Sequence, residues 1–441
     1  MDIKIERTNK DLSSVAGLVL FKELADKALP DSTFTLDHLP ALKAGIKKNI
    51  AKFRQLLFGF HAGAECLDDL ERLSEDIGFK AVNNGKTYTS KALGNFLRSF
   101  SQMHCKHMNI LLMHVAYRMR SILFPNQKSI TLDIDSTQNA QSGTKMEGVR
   151  ANYAGISGLN SIQVFDEFGL QYWHDVRPGN THTAEGSLEI IHRIFHNLDT
   201  NLKALTRYVR ADSGYCKIGF LHACAAKKAQ FVVCMRKLMY LPLVSKVSQW
   251  QAQDKDDSDR IIFVGKRECE IGETIYRPKK SHLIFRVIIL RALKPESAGK
   301  LICTQDDYDY LGWVSNISDS MSPIEVIKFY RKRGNCENFI RETKNGLDLH
   351  HYPCQKITAN KAYGLIAGFA YNMMRFLSLK ESPEKPKYAK AIRFKFVHIP
   401  CQIVRHARNL SFRFMDFHFK EVIKWMMEIR SMSVGFHPKV T

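Results

Sequence analysis

The sequence predicts an α/β protein: a mixed sheet flanked by helices, preceded by a helical region and interrupted by an all-β insertion. Three observations carry this. Residues 1–128 have helical periodicity almost throughout. At Ser129 the texture switches to short alternating segments rich in β-branched residues, interleaved with helical ones. Residues 237–316 then read as short strands and turns. A chain of 441 residues can hold more than one domain and a substantial core, and 45% hydrophobic with 25% charged residues is ordinary for a folded protein.

In the helical region, Ser13 and Ser14 are placed to cap a helix that runs to Leu29, where Pro30 stops it. A second helical stretch covers Ala41 to Glu75, with Lys43, Lys47, Lys48, Lys52 and Arg54 in its early turns. The turn at Asn83, Asn84 and Gly85 leads to a short helix over 89–98. Small residues, a Thr or Ser cap and a basic end are the pattern of a helix that reads DNA in a helix-turn-helix, and of many ordinary helices too. Helix resumes over Gln102–Leu123. The cluster His104, Cys105, His107 lies inside that pattern without a second ligand pair, so it reads as packing and surface.

The next segments are strands at 129–136, 161–165 and 170–176, a helix at 183–198, a strand at 205–211, a helix at 216–228 and a strand at 230–235. Three strands, helix, strand, helix, strand is the order of an RNase H-like, retroviral-integrase-like core. The insertion carries strands near 260–264, 283–291 and 311–316, with a polar loop over 251–260. Ser322 and Pro323 then open a helix, as a serine cap followed by proline at the first helical position. A buried helix spans 358–380, and Pro383 to Pro386 is a linker. The expected organisation is a helical N-terminal domain (1–128), the core in two parts (129–236 and 317–382) around the insertion (237–316), and a basic C-terminal region (383–441) with Arg393, Lys395, Arg405, Arg408, Arg413 and Lys424.

The charge selects among partners. Lys and Arg number 65 against 44 Asp and Glu, a net +21 spread along the chain. A large polyanion is implied, nucleic acid first. An isolated basic amphipathic helix that would favour a membrane surface is not evident, and no apolar run approaches the length of a span. The ten cysteines are scattered without a C-x-x-C pair and read as reduced thiols of a cytosolic protein.

Three acids sit where such a core brings them together: Asp135 on the first, central strand, Asp212 at the end of the fourth, and Glu337 on the helix after the insertion. Clustered carboxylates repel unless a cation is present. Hard divalent ions with oxygen ligands meet that need, and two of them can stabilise both oxygens of an in-line phosphoryl transfer. Asp133 shares a strand face with Asp135, and charge alone does not choose between them. Around Glu337, the residues Tyr330, Arg333 and Lys344 step by helical spacing and fall on one polar face. That stripe is either a solvated face with salt-bridge pairs or a metal-holding acid flanked by phosphate-gripping side chains.

The spacing of Tyr330, Arg333, Glu337 and Lys344 matches the Y-x2-R-x3-E-x6-K signature, and the chain resembles the DDE transposases of bacterial insertion sequences that carry it. Asp135-Ser136-Thr137 resembles the first aspartate motif, which favours Asp135 over Asp133, and Arg210-Ala211-Asp212 resembles the second. Arg177-Pro178-Gly179-Asn180 resembles a loop of the same group. The resemblance implies that Asp135, Asp212 and Glu337 are catalytic and bind Mg2+ or Mn2+, as two ions. It implies that Tyr330, Arg333, Lys344, Arg177 and Asn180 contact DNA, and that Trp250 or Trp313 is available to stack on a flipped base. The partners would be double-stranded DNA (the element's terminal inverted repeats and a target) and a second copy in a homodimer when two ends are paired, in the bacterial cytosol. The expected activity is cleavage and joining of DNA by transesterification. The rivals are a nuclease of the same fold that does not join, and a DNA-binding protein without catalysis.

Overall fold

The computed structural model describes residues 3–40, 45–141, 143, 145–253, 260–279, 281–318, 320–407 and 409–432. A two-residue strand β1 (Leu12–Ser13) is followed by α1 (Leu18–Ala28), α2 (Ile46–Ala62), α3 (Asp69–Leu73), α4 (Ile77–Val82), α5 (Ser90–Arg98) and α6 (Gln102–Leu123). Ser13 and Ser14 do not cap α1. Their hydroxyls donate to Asp76 at 2.7 and 3.2 Å, and Asp76 in turn caps α4 by accepting from the Gly78 and Phe79 N–H groups. The helix expected over 41–75 is split, because Gly63 takes a left-handed backbone (φ 97°) that ends α2. Lys43 lies outside the described residues. Thr89 caps α5 as expected, and Ser101 with His104 forms a capping box for α6, which uses the His104 ring locally.

The sheet follows with β2 (Ser129–Ala140), β3 (Arg150–Ala151), β4 (Ser157–Asp166) and β5 (Gln171–Pro178). Then come α7 (Ser187–Asn197), α8 (Asp199–Leu202), β6 (Thr206–Ala211), α9 (Ile218–Ala226) and β7 (Ala229–Cys234). β5, β4 and β2 pair antiparallel, while β2, β6 and β7 pair parallel, so β2 is central. The segment expected as an all-β insertion holds one helix, α10 (Lys237–Val244), and β8 (Trp250–Ala252), β9 (Glu270–Tyr276), β10 (Phe285–Leu293) and β11 (Tyr308–Ser315). It does not stand apart from the core. β11 pairs antiparallel with β7, Val314 opposite Val233, and the strands form one ten-stranded sheet. The strand expected at 260–264 is irregular chain: the Gln253 amide bonds the Ile261 backbone at both N–H and C=O, in place of a ladder partner. Residues 254–259 of the expected loop lie outside the described residues.

The last elements are α11 (Pro323–Arg331), α12 (Gly334–Gly346), α13 (Ile357–Glu381), α14 (Ala389–Phe396), β12 (Cys401–His406), β13 (Asn409–Phe414) and α15 (Asp416–Ser431). α13 is buried along nearly its whole length and packs on β5, α6, α2 and α5 at once. It comes close enough to β5 that a Cβ on Gly364 would lie 2.4 Å from His174 Nε2. The helical region and the sheet therefore share one continuous core. The C-terminal region is tied in as well, since β12 pairs with β1 and with β13. Arg408 lies outside the described residues. No helix among the described residues is long and apolar enough to cross a membrane.

Candidate active site

The site is built from the C-terminal half of β2. Asp133 and Asp135 point to the same face, and each meets an arginine. Asp133 is fully buried, and Arg210 on β6 grips it with both prongs, Nε to Oδ1 and Nη2 to Oδ2 at 2.7 Å each. The remaining arm, Arg210 Nη1, donates to the Phe329 carbonyl at the end of α11, 2.6 Å away. Both oxygens of Asp133 are thus engaged inside the core. Packing separates the two acids: Asp133 is enclosed with Arg210, while Asp135 meets the arginine that also reaches Glu337.

Asp135 is 9% exposed. Its Oδ1 accepts from the Ser136 N–H at 2.8 Å and its Oδ2 from Arg333 Nη2 at 2.7 Å. Burial pushes its carboxyl up to about 6; the Arg333 cation opposes this, and Asp212 and Glu337 add to it. Asp212 follows directly on β6, whose Ala211 is in parallel register with Ile134, so the two aspartates emerge side by side at the same sheet end. Asp212 Oδ1 accepts from the Gly214 N–H at 2.8 Å, which fixes the tight turn after the strand. Glu337 stands in the first turn of α12 with its side chain 69% exposed, and Arg333 Nη1 reaches its Oε1 at 3.4 Å. One guanidinium therefore links Asp135 to Glu337. The three acids do not all come within 4.8 Å of one another; among the described residues that spacing is met by Asp348, His350 and His351.

The expected single polar face is a correction. The helix breaks between Arg331 and Gly334, where the N–H groups of Arg333, Asn335 and Cys336 bond three residues back instead of four. The tightened turn swings Arg333 inward, 7% exposed, while Glu337 faces solvent. Tyr330 is half-buried against Trp313, ring centroids 5.8 Å apart, and burial raises its hydroxyl pKa. Lys344 is also partly buried and donates to Thr137 Oγ1 at 2.9 Å and to the Gln138 carbonyl at 2.7 Å, both on β2. Glu342, the next acid on α12, is spent structurally: it accepts from the Ala389 N–H at 2.7 Å and so holds α14.

Arg177, expected on DNA, is corrected too. It is 6% exposed, and its guanidinium donates to Asn160 Oδ1 and to the carbonyls of Thr183 and Glu185. It fixes the 177–185 loop from within, leaving Asn180 exposed on the turn. Trp313 is buried in the cluster shared by β7, β10 and α11, and Trp250 carries the Arg291 guanidinium 4.3 Å over its ring. Packing thus occupies both tryptophans. The residue not singled out as functional was Arg210, although a buried acid such as Asp133 requires a cation somewhere.

The carboxylates of Asp135, Asp212 and Glu337 are an all-oxygen donor set of the kind hard divalent ions prefer. Asp135 and Glu337 share one organic cation and Asp212 follows β6 beside Asp135, so the three fit a site for a divalent metal.

A mixed sheet with two aspartates side by side at the ends of neighbouring strands, and a third acid on a helix nearby, is a candidate nucleotidyl-transfer site. The family model described as "Transposase DDE domain group 1" matches residues 1–431. The chain belongs to this family and is a DDE-type DNA transposase, of a class whose domains generally depend on divalent metal. No curated protein matches the chain. Among solved structures, a similar chain is piggyBac transposase, determined by cryo-electron microscopy as a synaptic complex with hairpin DNA. It is 9% identical at a TM-score of 0.40, with 95% of this chain and 82% of that chain covered.

Proposed function

We propose that the chain binds the ends of its own insertion sequence, cleaves the DNA there and joins the ends to a target, with Asp135, Asp212 and Glu337 as the metal-binding acids. The sheet β5-β4-β2-β6-β7 is then an RNase H-like core, as its two antiparallel and two parallel pairings support. The observation that carries the reading is the buried Arg333 cation touching both Asp135 and Glu337, acids 202 residues apart, with Asp212 adding to the repulsion on Asp135. A fold has no need to gather acids at that point unless they act together.

In this reading Mg2+ or Mn2+, as two ions, supplies charge neutralisation at the reacting phosphate. Asp135 and Asp212 hold their ligand oxygens through backbone bonds from Ser136 and Gly214. Glu337, solvent-facing, completes the site from α12. Lys344, Tyr330 and Asn180 border the DNA, and Arg333 reaches a phosphate once it leaves Asp135. The N-terminal helices add a DNA-binding surface: Lys91, Asn95 and Arg98 form an exposed ridge on α5. Two copies acting on two paired ends, in the bacterial cytosol, make the assembly.

Supplying paired-end DNA with Mg2+ tests this. Joined products are expected; cut products alone would reduce the chain to a nuclease, and a mobility shift with neither would remove catalysis from the account.

A further inference from the structure

Arg333 is turned inward onto two of the acids. Its Nη2 is 2.7 Å from Asp135 Oδ2, its Nη1 is 3.4 Å from Glu337 Oε1, and the side chain is 8% exposed. Its third donor, Nε, is buried without a partner. A buried N–H left unpaired is costly, so this guanidinium is only partly satisfied by the two acids. The geometry also sets a conflict. Asp135 has its other oxygen on the Ser136 N–H, so both of its oxygens are engaged. A divalent ion that takes Asp135 must compete with the guanidinium for the same carboxylate, and the two cations repel at contact distance.

We propose that Arg333 is an internal counter-cation of the acid site, which a divalent ion displaces from Asp135 and which a DNA phosphate oxygen then accepts through the donors set free. This rests on the acid site proposed above and deepens it by coupling two ligands. Without the ion, Arg333 neutralises Asp135 and keeps α12 docked on β2. With the ion, the neutralisation is taken over, and a planar fork with Nε and Nη2 becomes available for two phosphate oxygens. Metal binding and DNA binding then favour each other, and by linkage each strengthens the other by the same factor. A permanent structural role for Arg333 predicts no such coupling, since the guanidinium would stay on Asp135 in every state.

The test uses the full chain. Mn2+ is titrated without DNA and followed by electron paramagnetic resonance of the free ion, for wild type, Arg333→Ala and Asp135→Asn. Arg333→Ala should bind Mn2+ on the order of tenfold tighter than wild type, because the competitor is gone. Asp135→Asn should bind more weakly than wild type. In parallel, the affinity for end DNA is measured with Ca2+ and with a chelator. Ca2+ should raise the wild-type affinity by on the order of tenfold and that of Arg333→Ala by clearly less. Mn2+ affinity of Arg333→Ala equal to or below that of wild type would overturn the displacement while leaving the acid site standing. Mn2+ binding indifferent to Asp135→Asn would overturn the acid site itself and the inference with it. Should Arg333→Ala not fold, the wild-type arm decides: an end-DNA affinity unchanged by Ca2+ sinks the coupling.

Discussion

Asp133 and Asp135 stand two residues apart on one face of β2, each against an arginine, yet the two pairs are built differently. Asp133 is sealed: both its oxygens are held by Arg210, whose spare arm holds the Phe329 carbonyl. Asp135 is poised: its arginine bridges to an exposed acid and keeps one donor unpaired. The first pair satisfies itself and ties β2, β6 and α11 together. The second leaves charge to be neutralised from outside. A carboxylate–arginine pair is a brace when both oxygens and all three nitrogens are engaged, and a site when one is left over.

The largest effect is expected from neutralising the poised side. Glu337→Gln keeps the size and removes the charge. Cleavage of end DNA should drop below detection in a nicking assay, while a gel shift shows DNA affinity unchanged or slightly higher, since one charge that repels phosphate is gone. Normal cleavage would mean that the exposed acid of α12 is only a solvated face.

Next in size is the sealed side. Arg210→Met strands Asp133 in the core and should cost roughly 3–5 kcal/mol in denaturant unfolding. The double variant Asp133→Leu with Arg210→Met should recover most of that stability, because an apolar pair of similar volume avoids the stranded charge. Cleavage should stay impaired in the double variant, since the Phe329 carbonyl has lost its donor and α11 its tie to the sheet. Full recovery of both would make the brace a stability element and nothing more.

The pH response reports on the poised side without large changes in shape. Burial raises the Asp135 carboxyl from its ordinary 3.8 to about 6, so the folded chain binds the proton more tightly than the unfolded one does. The folded state is then penalised as pH rises through the window from about 3.8 to about 6, by on the order of 3 kcal/mol once above it. Unfolding curves at pH 4 and pH 7 should show a smaller loss in Asp135→Asn than in the wild type, and Mg2+ should reduce the wild-type loss. A smaller effect is expected for the DNA grip. Arg333→Ala should weaken end-DNA affinity by roughly 1–3 kcal/mol and Lys344→Ala by about 1 kcal/mol, because lysine acts as a point charge. Binding isotherms with Mg2+ replaced by Ca2+ check both.

The strand order was legible because it follows local rules. Alternating β-branched residues mark β2, a short apolar run marks β4 and aromatic residues mark β5, and the spacing from Tyr330 to Lys344 spans a local break in the helix. What was not legible depends on tertiary partners. The tightened turn at 331–334 includes Gly334, which weakens helix propensity, but only the pull of Asp135 on Arg333 explains which way the side chain turns. Arg177 reads as a surface cation in sequence and is buried because Asn160 and two carbonyls supply its acceptors. β9 (Glu270–Tyr276) went unread because its Glu270 and Glu273 are polar in sequence and are satisfied by Arg291 and Arg286 on β10. The continuity of the sheet across β7 and β11, and of the core across α13, is set by pairings between segments far apart in the chain.

The central claim is that Asp135, Asp212 and Glu337 hold one divalent site while Asp133 does not reach it. Substituting Fe2+ and generating hydroxyl radicals at the bound ion, with the backbone cuts mapped by mass spectrometry, tests it directly. Cuts are expected adjacent to residues 135, 212 and 337 together, all lost in Asp135→Asn. Cuts confined to the Asp348, His350 and His351 cluster, with none near Asp135 or Asp212, would contradict it.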